Sequence, residues 1–186
     1  MKKLISSLFG LLIVMGLSAQ TTESNRKLTR AERKEIKAQE RAENKEQILT
    51  AIQDHQFVIE AYHLEDRYGR FIQVSPTTNF ILVDSVEATI QLAFPNRIGG
   101  WNGLGGITDE GRIRNIRFPK KTPKYGVSFV MDVTGPAFGS SRVYVDVNDD
   151  GLAVMRFSGA FGARFTMRGN FELLEESNIF KGVARF

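Results

Sequence analysis

The sequence predicts a mainly β protein, an antiparallel barrel or sandwich of about eight strands, preceded by one long charged N-terminal helix. Three observations point there. From Gln56 onward, apolar residues recur with a period of two in short runs, the alternation that puts one face of a strand into a core. Turn signals rich in Gly, Pro, Asn and Asp separate these runs at roughly 8–12 residues, as in sandwiches and barrels. Residues 29–54, in contrast, hold neither Gly nor Pro and are dominated by strong helix formers. Strands and long helices do not alternate after that point, so an α/β fold is not expected.

Composition bounds the function classes. The chain of 186 residues is 42% hydrophobic and 25% charged, which suits a globular domain and excludes wholesale disorder. Fourteen Phe stand against one Trp and four Tyr, pointing to aromatic packing in a sheet core. There is no cysteine, which excludes disulfides, thiol catalysis and thiolate metal sites. The formal charge is +4, from 25 basic and 21 acidic residues. So small an excess gives no reason to expect nucleic acid as a partner.

The N-terminus reads as a secretory signal peptide. Lys2 and Lys3 precede an apolar run over residues 4–17, and Leu17-Ser18-Ala19 offers small residues for cleavage. The run is shorter than the ~20 residues a membrane span needs, and no Cys follows it to take a lipid. The expectation is a periplasmic or secreted protein with no stable membrane span after cleavage. The domain reading is 1–19 signal peptide, 20–54 polar segment and charged spacer helix, and 55–186 antiparallel β domain. Thr29 and Glu32 form a T-x-x-E capping box at the start of the helix. Arg30, Lys34, Lys37, Arg41 and Lys45 share one helical face, with Glu32, Glu35, Glu43 and Glu46 roughly opposite. A thin stripe of Ala31, Ala38, Ala42 and Leu49 lies between them and is widened by Ile48 and Ile52. The first half thus reads as a solvated spacer, and only the last turns as docked.

In the β region, Phe57, Ile59 and Ala61 alternate with Val58, Glu60 and Tyr62. Residues 66–70 form a turn and 71–74 a short strand, which Ser75-Pro76-Thr77 ends. Residues 79–84 and 87–94 read as a hairpin around Asp84-Ser85-Val86, with Ala88, Ile90, Leu92 and Phe94 on one face. Residues 112–118, with Arg112, Arg114 and Arg117, read as a polar strand that is at an edge or half exposed, its charge protecting it if it is an edge. Tyr125, Val127, Phe129, Met131 and Val133 line the next strand. Val143, Val145 and Val147 line another, and Asn148-Asp149-Asp150-Gly151 turns it back, since Asp-Gly supplies the positive φ of a tight hairpin. The last strand has Phe161, Ala163, Phe165, Met167, Phe171 and Leu173 on one face, and Gly169 inside it suggests a bulge or bend.

Four places could carry chemistry. The glycine-rich segment of residues 94–111 lacks the G-x-x-x-x-G-K-[ST] of a phosphate loop. It could still present Trp101, Asn102, Asp109 and Glu110 to a ligand, although glycines in β proteins more often solve a backbone problem. Asp146, Asn148 and Asp150 match the first half of a calcium loop, but Phe157 stands where its bidentate Glu is required, so the hairpin reading is preferred. His55 and His63 bracket one strand eight residues apart and lack the companions of a nucleophilic or zinc site. The basic run of residues 112–124 could touch an anionic surface. No catalytic residue and no cofactor is assigned.

A set of short words stands in one order: Tyr68-Gly69-Arg70, Thr78-Asn79-Phe80, Val83-Asp84 and Gln91-Leu92-Ala93-Phe94. They continue with Arg97, Asn102-Gly103, Gly105-Gly106, Thr108, Glu110-Gly111, Asn115, Glu175-Glu176-Ser177 and Phe180-Lys181-Gly182. On these words the stretch 56–182 resembles the domain of unknown function 4251 family of secreted or envelope bacterial proteins. The resemblance implies an envelope or secreted protein and attaches no activity to it. The preferred reading is an exported, non-catalytic β module that binds a ligand or an envelope protein. The alternatives are a hydrolase with acids near the glycine segment and a small eight-stranded outer-membrane barrel.

Overall fold

The computed structural model describes residues 29–94, 100, 102–120, 123 and 126–182. The expected signal peptide of residues 1–19 and Trp101 lie outside the described residues.

Helix α1 (Arg30–Asp54) starts at the expected capping box. Glu32 Oε2 accepts from the Thr29 amide at 2.7 Å, and Thr29 Oγ1 accepts from the Glu32 amide at 3.3 Å. From Ile36 onward the helix belongs to the same compact unit as all the strands. Ile48, Ala51 and Ile52 are buried. His55 then takes a positive φ of 55°, the left-handed conformation that commonly stops a helix. Its Nδ1–H donates to the Ser85 carbonyl at 2.9 Å.

The strands are β1 (Gln56–Asp66), β2 (Phe71–Gln73), β3 (Phe80–Asp84), β4 (Glu87–Leu92), β5 (Ile107–Arg117), β6 (Val127–Gly135), β7 (Gly139–Val147), β8 (Leu152–Ser158) and β9 (Arg164–Leu173). Every neighbouring pair is antiparallel. The order runs β2-β1-β3-β4-β5-β6-β7-β8-β9, and β1 also pairs with β9. Eight strands therefore close into a barrel, with β2 added at the end of β1, and the barrel-or-sandwich alternative resolves to a barrel. At Gly169 the two closing strands cross so closely that a Cβ would lie 1.9 Å from the Glu60 carbonyl oxygen. The irregularity expected near Gly169 is a register shift on the facing strand, between Ala61 and His63.

The interior is filled by one continuous apolar cluster. Phe57, Ile59, Ile81, Ile90, Phe129, Met131, Met155 and Met167 are at most 1% exposed. Ile48, Ala51 and Ile52 of α1 join this cluster, beside the β7–β8 turn where Asn44 Nδ2 donates to the Asp149 carbonyl at 2.7 Å. Toward the opposite turns Phe157 stacks on Phe165 at 4.4 Å, and Phe138 meets Phe157 edge-on at 4.9 Å.

Two expectations are corrected. The strand after the glycine segment begins earlier, at Ile107, and is not an edge, because β4 and β6 pair with it on both sides. Its arginines point outward from a closed wall. The same charged wall disposes of the outer-membrane alternative. Arg112, Arg114, Arg117, Arg142, Arg156, Arg164 and Arg168 are all exposed, where a lipid-spanning barrel carries an apolar band around a polar interior.

Candidate functional site

The glycine segment and the chain's last described residues meet on the outer wall of β3, β4 and β5. Alternation puts Ile90 and Leu92 into the barrel and turns Thr89 and Gln91 outward. Yet Thr89 and Gln91 are 5% and 0% exposed. Gln91 is covered from outside, because residues 174–182 leave β9 and run past Glu60 of β1 to Gln91 of β4 as a strap. Val58 and Phe80 are fully buried on this outer side and do not belong to the interior cluster.

Gln91 is the centre of the arrangement. Its Nε2 donates to the carbonyls of Thr78 (3.0 Å) and Phe180 (2.8 Å). Its Oε1 accepts from Thr108 Oγ1 (2.8 Å) and from the Gly182 amide (2.7 Å). Two donors and two acceptor positions are thus all in use. Thr108 in turn accepts from Asn102 Nδ2 at 3.2 Å, and the same nitrogen reaches the Leu92 carbonyl at 3.1 Å. Asn102 Oδ1 accepts from the amides of Leu104 (2.9 Å) and Gly106 (3.1 Å) and so shapes the glycine turn. On the other flank Asn79 Nδ2 donates to the Ser75 carbonyl at 3.0 Å, while its Oδ1 accepts from the Ala93 amide at 2.8 Å. No buried side-chain polar atom among the described residues lacks a partner. Completeness matters here, because stranding one buried donor or acceptor costs about 1–3 kcal/mol.

The residues singled out in the sequence divide accordingly. Asn102 is inside this network as a turn former. Asp109 faces the other way, into the barrel, and is 2% exposed. Its carboxylate accepts from the amides of Ala137 (2.9 Å) and Phe138 (3.0 Å), so it holds the β6–β7 turn. Glu110 lies at the surface and pairs with Lys181 of the strap at 2.8 Å. The structure therefore does not bring Asn102, Asp109 and Glu110 together around one ligand. Asp109 and Glu110, the acids of the hydrolase alternative, are both held by other partners. Asn79, Gln91, Thr108 and Gly182 were missed as a group. The signal was present in the short words Thr78-Asn79-Phe80, Gln91-Leu92-Ala93-Phe94, Thr108 and Phe180-Lys181-Gly182, which fold into one place.

The calcium candidates are engaged elsewhere. Asp146 accepts from Ser128 Oγ at 2.6 Å and from Arg156 at 2.8 Å. Asn148 Oδ1 caps its own hairpin through the amides of Asp150 (3.0 Å) and Leu152 (2.8 Å), and Asp150 pairs with Arg41 at 3.3 Å. No group of three His, Cys, Asp or Glu side chains suited to a metal occurs among the described residues. His63 packs edge-on against Tyr62. In the basic run, Arg117 reaches Asp132 at 2.6 Å. Hydrogen bonding from Arg142, reinforced by the nearby Arg117 charge, holds the Asp132 carboxyl below its ordinary value.

Where the strap leaves the barrel, Glu172, Glu60 and Glu176 come together. Burial, and then the charges of Glu60 and Glu176, push the Glu172 carboxyl above the ordinary carboxylate value. Ser177 Oγ donates to Glu60 Oε1 at 2.6 Å. Close by, Glu43, Glu46, Asp54 and Glu175 rim an open groove of about 710 Å³ between α1 and the end of β9, with Ala51, Leu173 and Leu174 as its apolar part.

Residues 39–171 match the family model described as domain of unknown function DUF4251. The chain belongs to the DUF4251 family. It is similar to the crystal structure of a DUF4251 family protein from Bacteroides eggerthii DSM 20697, at 30% identity and a TM-score of 0.58. That similarity covers 75% of this chain and 93% of the other. The search of curated proteins found no match. The family match begins within α1, earlier than the residue 56 expected from the sequence words. The fold gives a physical reason, since Ile48, Ala51 and Ile52 are part of the barrel core.

Proposed function

We propose that this DUF4251 chain is an exported, non-catalytic barrel module that binds a partner protein through the groove beside α1. The groove is the observation that carries the reading. Carboxylates of Glu43, Glu46, Asp54 and Glu175 surround apolar Ala51, Leu173 and Leu174, a surface suited to a polypeptide segment with basic and apolar side chains. The non-catalytic part is supported by the engagement of Asp109 and Glu110 in structural contacts. Export is supported by the charged, apolar and small-residue pattern of the first nineteen residues.

Photo-crosslinking in cells tests it. Benzoylphenylalanine replaces Thr50 in the groove or, as a control, Tyr144 on the outer wall of β7. The expected result is a discrete adduct from position 50 that disappears when Glu43 and Glu46 are changed to Lys. Equal adducts from both positions, or none from position 50, would reject the groove. A mature N-terminus at Gln20 is expected in the same cells, and an uncleaved chain would reject export.

A further inference from the structure

The strap site on the outer wall has the construction of a binding site whose ligand is already in place. We infer that it is a peptide-binding site, that residues 177–182 are its resident ligand, and that the same segment supplied in trans can replace them.

The site reads main chain. Gln91 is fixed to the barrel by two of its four hydrogen bonds, to Thr78 and Thr108. The other two go to the Phe180 carbonyl and the Gly182 amide. The Phe180 amide donates to the Thr77 carbonyl at 2.8 Å. Three consecutive backbone groups on one edge of the strap are thus bound, the pattern of an added strand. The Gln91 side chain stands in for the neighbouring peptide unit. Among the strap's side chains Ser177 Oγ donates to Glu60 at 2.6 Å, while Phe180 is 57% exposed and Lys181 makes only a half-exposed ion pair with Glu110.

Selectivity lies at Gly182. It is buried, and a Cβ there would stand 2.9 Å from Leu104 Cδ1 and 3.0 Å from the Asn102 carbonyl oxygen. The ligand class is therefore an extended peptide with glycine two residues after the residue whose amide and carbonyl are both held. This inference uses neither the groove nor its partner.

The test keeps the full chain. A protease site is placed between Glu176 and Ser177, and the folded protein is cut there. The probe is the fluorescent peptide Ser-Asn-Ile-Phe-Lys-Gly, with both ends blocked, followed by anisotropy. Saturable binding to the cut protein is expected, weaker binding to the intact protein whose own tail competes, and at least tenfold weaker binding of the Gly182→Ala peptide. Absence of binding at millimolar peptide, or equal binding of both peptides, overturns the inference. If cutting unfolds the chain, refolding by added peptide supports it and failure to refold overturns it.

Discussion

On the inner side of β4, Ala88, Ile90 and Leu92 join the apolar core. On the outer side of the same strand, Thr89 and Gln91 are as deeply buried but are polar. The two sides are held by different physics. Burial of apolar area has no direction and accepts another side chain of similar volume. A closed set of hydrogen bonds has fixed valences, and a replacement of equal size that lacks one donor leaves groups stranded. The difference teaches that one wall of this barrel supports a tolerant interior and an exacting exterior.

Substitutions can break that comparison. The largest effect is expected inside, where Phe57→Ala removes a ring that packs 5.1 Å from Phe171 and 5.7 Å from Phe129. It should cost about 3–5 kcal/mol in denaturant unfolding. Next is Asp109→Ala, which strands the amides of Ala137 and Phe138 and should cost roughly 2–3 kcal/mol. Restoring one acceptor with Asp109→Asn should recover part of that loss.

Gln91→Met, close in size and unable to replace either pair of bonds, should cost about 2 kcal/mol. It should also raise hydrogen exchange at the Phe180 and Gly182 amides while leaving Val145 protected. A cost below a few tenths of a kcal/mol would mean the exterior is as tolerant as the core.

The smallest effect is expected at the carboxylate cluster. Because the folded Glu172 pKa is raised, ionisation there opposes folding, and this group's contribution to stability is lost as pH rises through the folded value. Glu172→Gln should therefore stabilise the protein at neutral pH by roughly 0.5 kcal/mol. The gain should shrink as pH falls through the raised value and vanish below the ordinary carboxylate range. Melts of both proteins across pH 4–8, a window set by the ordinary value near ~4.3, check the sign.

Much of the inner side was legible in the sequence. The alternation of Phe57-Ile59, Phe129-Met131-Val133 and Val143-Val145-Val147 marks an apolar face without reference to distant residues, and Asp150-Gly151 marks its own turn. The outer side was less legible, because outward polar residues on a strand look solvated until a cover is known. Gln91 and Thr89 lie opposite the apolar face of their strand, and the residue that closes over Gln91 lies 91 residues further along, at Gly182. The same distance effect left residues 112–118 open between an edge and a half-exposed strand, since charge on one face does not reveal that both sides are paired. The words behind the family resemblance carried the missing information, but only the fold shows that they form one network.

The β1–β9 pairing has a consequence for how the chain is assembled. Phe57 is matched with Leu173, so the ring is sealed by the first and last strands of the domain. Contacts of such sequence separation slow folding, because most of the chain must be ordered before they form. During synthesis one margin of β1 has no partner until β9 emerges, and an open margin of that kind invites pairing with other chains. In a chain cut short before Arg164, the sheet cannot close.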